Sequence, residues 1–168
     1  MYTERIMIFI DNSNIFKGFI KYNIRADYDK LKEVISRGRN LIEIRLYEGV
    51  VYPLASKKKK WYKDLKNISG YKVKTSFDKW TNDLAIEKKI DVKLAIDVIA
   101  KAYEDAFDTA VILSGDGDFL PMIKKVIKLG KNVEIWAFKY SLANTIERII
   151  PEDKITYLEN ILNKIKID

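Results

Sequence analysis

The feature that most constrains this chain is a short apolar run that ends abruptly in a glycine- and aspartate-rich turn. Residues 110–113 suit a buried strand, and residues 114–118 read Ser-Gly-Asp-Gly-Asp. The two glycines allow a sharp turn before the amphipathic helix that is predicted to follow. Asp116 and Asp118 then lie beside the carboxyl end of a strand, where open α/β sheets bind ligands. Asp118 could instead cap the helix at Phe119, but a cap needs only one of the two carboxylates.

Strands and helices are predicted to alternate along nearly the whole chain. The predicted strands cover residues 5–10, 42–52, 71–77, 110–113 and 132–138. Helices are predicted after the first strand and over residues 31–36, 55–68, 94–102, 120–129, 141–149 and 157–165. This alternation predicts an α/β fold with a mostly parallel central sheet between two layers of helices. The length suits a single domain, 1–168, in which residues 151–168 form a C-terminal helical extension.

Four aspartates are expected at one edge of this sheet. Right-handed crossovers bring the carboxyl ends of parallel strands to the same edge. Asp11 follows the first strand, and Asp116 and Asp118 follow a later one. Asp91 is predicted to be the N-cap of a helix, after a loop over residues 78–89.

Simpler roles are open for some of the polar side chains near this edge. Asp11 and Asn14 can act as plain helix caps. The functional interpretation is favoured for Asp11 because a second acidic cluster is expected at the end of a later strand. Asp97 lies inside the helix after Asp91, where binding to a neighbouring loop and contact with a metal ion are equally open.

Cysteine and histidine are both absent from the chain. Their absence excludes disulfides and thiolate metal sites, and it removes the usual general base. Several carboxylates at one point repel each other unless a cation neutralises them. Oxygen ligands suit Mg²⁺ or Mn²⁺, and such an ion can polarise a phosphate and activate a bound water. The acidic edge therefore predicts a magnesium or manganese site.

The net charge of +7 is concentrated in one segment. Residues 57–79 contain nine lysines, no arginine and two aspartates, so the rest of the chain is neutral overall. A local basic block favours a polyanionic partner, although a solvated helix face is equally open. The lysines expected to contact nucleic acid are Lys57, Lys58, Lys59, Lys60 and Lys63. The aromatic residues that could stack on unpaired bases are Trp61, Tyr62 and Trp80, although a place in the core or on ordinary surface is favoured for each.

Three segments resemble the motifs of a known family. They read Phe-Ile-Asp-Asn-Ser-Asn-Ile at residues 9–15, Ile-Asp-Val-Lys-Leu-Ala-Ile-Asp at 90–97, and Leu-Ser-Gly-Asp-Gly-Asp-Phe at 113–119. Together they resemble the motifs of NYN domains, in the LabA-like branch of the PIN-like nuclease superfamily. The resemblance covers about residues 5–148. One position departs from the family pattern, because Lys89 stands where the family usually has glycine.

The resemblance implies a PIN-like Rossmannoid three-layer sandwich, Mg²⁺ or Mn²⁺ at the acidic cluster, and RNA cleavage. Asp11, Asp91 and Asp116 match the metal-binding and catalytic set, and Asp118 is the next candidate for it. The residues that match supporting positions are Asn14, Ser114 and Asp97.

These observations predict a metal-dependent endoribonuclease that acts on single-stranded RNA. A non-catalytic RNA-binding or scaffold module that keeps the acidic site is the main alternative. A haloacid-dehalogenase-like phosphatase is disfavoured because it needs an aspartate two residues after the first, where this chain has Ser13. No glycine-rich phosphate loop follows the first strand, which disfavours ATP or NAD binding.

No apolar run approaches the roughly 18 residues needed to span a bilayer. We therefore expect a cytoplasmic protein without a membrane partner. A homodimer remains open.

Overall fold

A parallel sheet forms the centre of the computed structural model, which describes residues 1–51, 53–77 and 83–168. Within these ranges the sheet has six strands, and every pairing is parallel. The strands are β1 (Arg5–Asp11), β2 (Asn40–Val50), β3 (Lys72–Phe77), β4 (Thr109–Leu113), β5 (Asn132–Ala137) and β6 (Ile155–Tyr157). Their order is β3-β2-β1-β4-β5-β6, so β1 and β4 are central neighbours. The predicted α/β fold is confirmed.

Helices cover both faces of the sheet. They are α1 (Asn12–Lys21), α2 (Tyr28–Ser36), α3 (Ser56–Asn67), α4 (Asp83–Tyr103), α5 (Leu120–Lys128), α6 (Asn144–Glu147) and α7 (Leu162–Ile165), with 3₁₀ turns at Gly117–Phe119, Glu152–Lys154 and Leu158–Ile161. Alternate side chains of β1 enter different cores: Ile6, Ile8 and Ile10 pack against α1, α2 and α3. Met7 and Phe9 pack against α4 and α5 on the other face. A strand buried on both faces is typical of a parallel sheet between two helical layers.

Helix α4 begins earlier than the sequence pattern predicts. The loop expected over residues 78–89 is wrong from residue 83 onward, because α4 begins at Asp83. Asp91 therefore lies inside the helix and is not its N-cap. The remaining residues of that expected loop, 78–82, lie outside the described residues, and Trp80 is among them.

Burial explains why α4 extends so far. Ile86, Ile90 and Leu94 recur every fourth residue and are 3%, 1% and 0% exposed, so they form one buried stripe. Charged residues between them hide this stripe in the sequence. Lys89, the departure from the family pattern, lies on the exposed side of α4, where lysine is a better helix former than glycine.

The C-terminal segment is less helical than predicted. Only Asn144–Glu147 and Leu162–Ile165 are α-helical in the segments predicted as helices. Ile155–Tyr157 instead forms β6, which pairs with β5 from Ile135 to Ala137. The free edge of β5 thus determines the local structure there, and the segment predicted as a C-terminal helical extension contains a strand before its helical turns.

The predicted second strand is shifted toward the N-terminus. It was expected over residues 42–52, whereas β2 runs from Asn40 to Val50, and Tyr52 lies outside the described residues. Among the described helices, none is long and apolar enough to cross a membrane.

Candidate functional site

Asp11 ends β1 and begins the site. Its side chain is only 5% exposed, because β1 is buried on both faces and α1 starts at once. The carboxylate caps α1 by accepting a 3.3 Å hydrogen bond from the Asn14 backbone N–H. It also accepts a 2.8 Å hydrogen bond from Ser114 Oγ. Asp11 is therefore a helix cap, as the simpler interpretation held, and it also contacts the loop after β4.

The loop after β4 is tied to β1 by several hydrogen bonds. Ile10 and Leu113 are register partners, so the residues that follow them meet at one edge of the sheet. Fully buried Ser114 donates to Asp11, and its Oγ accepts a 3.2 Å hydrogen bond from the Asp116 backbone N–H. Asn14 Oδ1 accepts another, also 3.2 Å long, from the Gly115 N–H. The structure therefore brings Asp11, Asn14, Ser114 and Asp116 together.

Gly115 is required by close packing. A Cβ built at this position would lie 2.6 Å from the backbone oxygen of Ser141, in the loop after β5. The Gly115 carbonyl also accepts a 2.9 Å hydrogen bond from the Ala143 N–H. The loops after β4 and β5 are thus held in direct contact beside the carboxylates.

Asp116, rather than Asp118, is the capping residue of the turn. Asp116 Oδ1 accepts a 2.9 Å hydrogen bond from the Asp118 N–H and caps the 3₁₀ turn Gly117–Phe119. Helix α5 has Phe119 at its N-cap position, so a capping role for Asp118 is wrong. Asp118 is exposed, so its side chain is accessible from solvent.

Asp97 binds a strand and not a loop. It accepts hydrogen bonds from Tyr47 Oη at 2.7 Å and from Arg45 Nη1 at 3.2 Å, both on β2. Burial and the neighbouring Asp97 raise the pKa of Tyr47, so the phenol stays protonated and donates. Tyr47 is the register partner of Asp11, which places this contact one strand away from the site.

Asp91 lies on α4 beside the buried stripe that packs on the sheet. Its neighbour Ile90 is in the same core cluster as Phe9 and Tyr47. The membership of Asp11, Asp91, Asp116 and Asp118 in a metal-binding set stays a prediction.

The donor set suits a partly hydrated hard cation rather than a closed protein cage. Among the residues that the structure describes, no group of three or more acidic side chains lies close enough to hold a metal ion. Asp11 and Asp116 do meet at neighbouring strand ends. Mg²⁺ is typically held by one or two carboxylates, several waters and substrate phosphates. Asp11, which is buried, and Asp116, which is half-buried, could supply the two carboxylates of that pattern.

A second polar cluster, around Glu48, was missed in the sequence. Glu48 follows Tyr47 on β2 and is 9% exposed. It accepts hydrogen bonds from Lys58 Nζ at 2.8 Å, from Asn12 Nδ2 at 3.1 Å and from the Tyr62 hydroxyl. Tyr28 donates a 2.6 Å hydrogen bond to Asn12 Oδ1. We call these five residues the Glu48 network; its signal in the sequence is a glutamate in the otherwise apolar last part of β2, residues 46–50.

The two network tyrosines remain protonated donors. Burial, together with the neighbouring Glu48, raises the pKa of both Tyr62 and Tyr28. The network thus joins β2, α1, α2 and α3 beside Asp11.

The five lysines predicted to bind nucleic acid differ in exposure and in ion pairing. Lys57, Lys59 and Lys63 are exposed. Lys60 forms a 2.7 Å ion pair with Asp64, and Lys58 pairs with Glu48. Lys60 is exposed although it is paired, whereas Lys58 is tied to a buried carboxylate.

The predicted stacking residues also differ from one another. Tyr62 is 6% exposed, so it lies in the core, which was the favoured interpretation, and offers no stacking surface. Trp61 is partly buried, and its ring lies 5.2 Å from that of Tyr28 in an edge-on arrangement.

The fold and site together define a class: a three-layer parallel α/β domain with carboxylates at the carboxyl ends of its central strands. The NYN domain family matches residues 5–156. The chain belongs to the NYN domain family, whose fold places it in the PIN-like nuclease superfamily.

Two known proteins are similar to this chain. The uncharacterised protein MJ0482 of Methanocaldococcus jannaschii is 26% identical over 146 residues, which are 87% of this chain and 52% of that protein. The chain thus spans about half the length of this relative. The crystal structure of VPA0982 from Vibrio parahaemolyticus, a protein of unknown function, matches with a TM-score of 0.80 and 18% identity. The match covers 98% of this chain and 97% of that one, and it supports the fold alone.

Proposed function

We propose that this protein is a metal-dependent endoribonuclease of the LabA-like branch that hydrolyses single-stranded RNA. The observation that carries the proposal is the hydrogen-bonded chain from Asp11 through Ser114 to Asp116. It ties the Asp11 carboxylate and the backbone of Asp116 to each other at the carboxyl ends of the two central strands, in a family of nuclease folds. Nuclease activity is general in that family, whereas the substrate and metal are our proposal.

Asp11 and Asp116, with Asp91 and Asp118 as further candidates, would hold Mg²⁺ or Mn²⁺. When bound, such an ion supplies Lewis acidity at a phosphate and lowers the pKa of a coordinated water. Ser114 orients Asp11 by donating to it, and Asn14 holds the backbone of the adjoining loop. The exposed Lys57, Lys59 and Lys63 attract the phosphates of the RNA strand without reading its sequence.

Cleavage of a circular single-stranded RNA tests the proposal, because a circle offers no ends to an exonuclease. We expect Mg²⁺ or Mn²⁺ to support cutting, chelator to stop it, and Ca²⁺ to support binding better than turnover. The double variant Asp11→Asn/Asp116→Asn should be inactive, whereas Asp153→Asn, an exposed control, should cut normally. Activity that persists in the double variant would assign the cutting to a contaminant.

A second candidate is a non-catalytic RNA-binding module. The observation that favours it is that the Asp11 side chain is 5% exposed and already accepts hydrogen bonds from Ser114 and Asn14. Wild-type protein that binds RNA in the presence of Mg²⁺ or Mn²⁺, yet leaves the circle intact, would establish this alternative.

A further inference from the structure

A cavity of about 540 Å³ opens beside the candidate site, between α1, the start of α2 and the first turns of α3. Its apolar wall includes Phe16, Phe19 and Ile20 from α1 and Trp61 from α3. We call it the α1–α3 pocket. Asn12, the residue directly after Asp11, also lines it, so the pocket begins one residue from the candidate catalytic carboxylate. Its volume lies in the range of small-ligand sites.

The pocket exposes aromatic and aliphatic surface to solvent. The side chains of Phe16 and Ile20 are 48% and 64% exposed, although both lie on a helix that packs on the sheet. Trp61 is held edge-on against Tyr28, which fixes its ring without covering it completely. Apolar surface gathered in a concave site marks a place where another molecule binds.

Positive charge accompanies this apolar wall. Arg25 and Lys57 are exposed lining residues. Lys58 Nζ lies over the Trp61 ring, 4.8 Å from its centre, and 6.0 Å from the centre of the Phe16 ring, so it is close to both. Buried Glu48 holds Lys58 there through their 2.8 Å ion pair. The position of this cation is therefore built into the fold.

A ligand that complements this pocket has a flat apolar part and a negative charge. A nucleotide unit of single-stranded RNA has both: its base can stack on aromatic rings, and its phosphates pair with lysine and arginine. Each stacked base contributes roughly 1–3 kcal/mol, which corresponds to an affinity factor of about 5 to 150.

We propose that the α1–α3 pocket binds one unpaired base of an RNA strand and thereby places the neighbouring phosphate at Asp11 and Asp116. This deepens the proposed function and rests on it. Phe16 and Trp61 contact the base, and Lys57 and Arg25 contact phosphate. Lys58 is positioned by Glu48 to meet the polar edge of the base or its phosphate.

The test scans a labelled RNA of about twelve nucleotides, a length within the range of single-strand sites, with one abasic position at a time. Affinity is measured by fluorescence anisotropy in chelator, so that no strand is cut. We expect wild-type protein to lose about 5- to 100-fold in affinity at one abasic position. The variants Phe16→Ala and Trp61→Ala should bind the intact strand about 5- to 100-fold more weakly than wild type. An abasic site at the sensitive position should then cause no further loss of affinity in these variants. Tyr103→Ala, an exposed aromatic control on α4, should behave as wild type.

Failure of the pocket and failure of the nuclease proposal are distinguishable. A wild-type enzyme that cuts RNA, while both pocket variants bind and cut normally, overturns the pocket proposal alone. A protein that never cuts, but shows the position-specific abasic loss, leaves the pocket proposal intact. Circular dichroism melts of both variants check folding, and Phe16→Ala is the safer variant because its side chain is half-exposed.

Other occupants would also overturn the proposal. If sedimentation shows a wild-type dimer that Phe16→Ala converts to monomer, without any abasic effect, the pocket is an interface between two copies. Equal losses at every abasic position, in wild-type protein and both variants alike, would place base stacking elsewhere.

Discussion

Ser114 Oγ donates a 2.8 Å hydrogen bond to Asp11 Oδ2, although the two residues are 103 positions apart in the sequence. Both are buried, and they join the ends of the two central strands. A buried carboxylate that accepts this bond is held in one orientation. The bond therefore makes Ser114 a positioning residue for Asp11.

Replacing Ser114 with alanine should test this role. The change leaves Asp11 with one fewer donor, so we expect the free energy of unfolding to fall by about 1–2 kcal/mol. Cleavage should fall much further than RNA affinity, because phosphate binding by the lysines is unaffected. Ser141→Ala is the matched control, since Ser141 Oγ donates to the nearby Phe138 carbonyl. Equal cleavage by the two variants would contradict a positioning role.

Asp116→Asn should abolish metal-dependent cleavage while leaving stability unchanged or slightly increased. The substitution removes one of the two negative charges at neighbouring strand ends, and the asparagine oxygen can still accept from the Asp118 N–H. A thermal melt and a cleavage assay on the same preparation measure both effects. Asp153→Asn serves as the exposed control. Wild-type turnover, or gross unfolding of the variant, would argue against the assigned role.

The exposed lysines of α3 should determine the salt dependence of RNA binding. If Lys57, Lys59 and Lys63 each contact one phosphate, replacing all three with glutamine should reduce the slope of log affinity against log salt by about 2 units. The control replaces Lys93, Lys124 and Lys128, exposed lysines on the helices of the opposite face. If both triple variants show the same slope, the lysines of α3 do not contact RNA and form a solvated helix face.

Glu48→Gln should destabilise the fold. The charge that pairs with Lys58 is lost, so we expect about 1–3 kcal/mol less free energy of unfolding in urea titrations. In a double-mutant cycle, Glu48→Gln with Lys58→Met should cost less than the sum of the single changes, because neither partner is left alone. Glu33→Gln, an exposed carboxylate, should change little. Simple additivity would mean that the two side chains do not interact.

The ion pair between Arg5 and Asp108 lies where β1 and β4 begin, at the other end of these strands from the candidate site. It should account for part of the loss of fold stability at low pH. Arg5 holds the pKa of Asp108 below its usual range through its guanidinium and backbone N–H. A lowered pKa means that this contribution to stability is present above about pH 3.9, the unfolded value, and is lost as the pH falls below it. Asp108→Asn should therefore flatten the decline in melting temperature below about pH 4. If Asp108→Asn and the control Asp153→Asn show the same dependence of melting temperature on pH, the Asp108 carboxylate does not contribute to acid sensitivity.

Much of the candidate site was recognisable before the fold was known. Asp11 and Asp116 both follow apolar strand patterns, and parallel strands end at a common edge, so their proximity was predictable. The start of α4 was not predictable from the sequence, because charged residues interrupt the stripe of Ile86, Ile90 and Leu94. The strand Ile155–Tyr157 was hidden as well, since its conformation depends on pairing with β5.

The sequence by itself determined the α/β alternation, the acidic turn after β4 and the concentration of lysines in one segment. These features depend on neighbouring residues, whose spacing decides which faces are apolar and where the backbone can turn. Only the tertiary structure decided that Ser114 orients Asp11, that Glu48 holds Lys58, and that Phe16 and Trp61 line one pocket. Such contacts join residues far apart in the chain, and they exist because burial of the whole core selects one strand order and one packing of the helices.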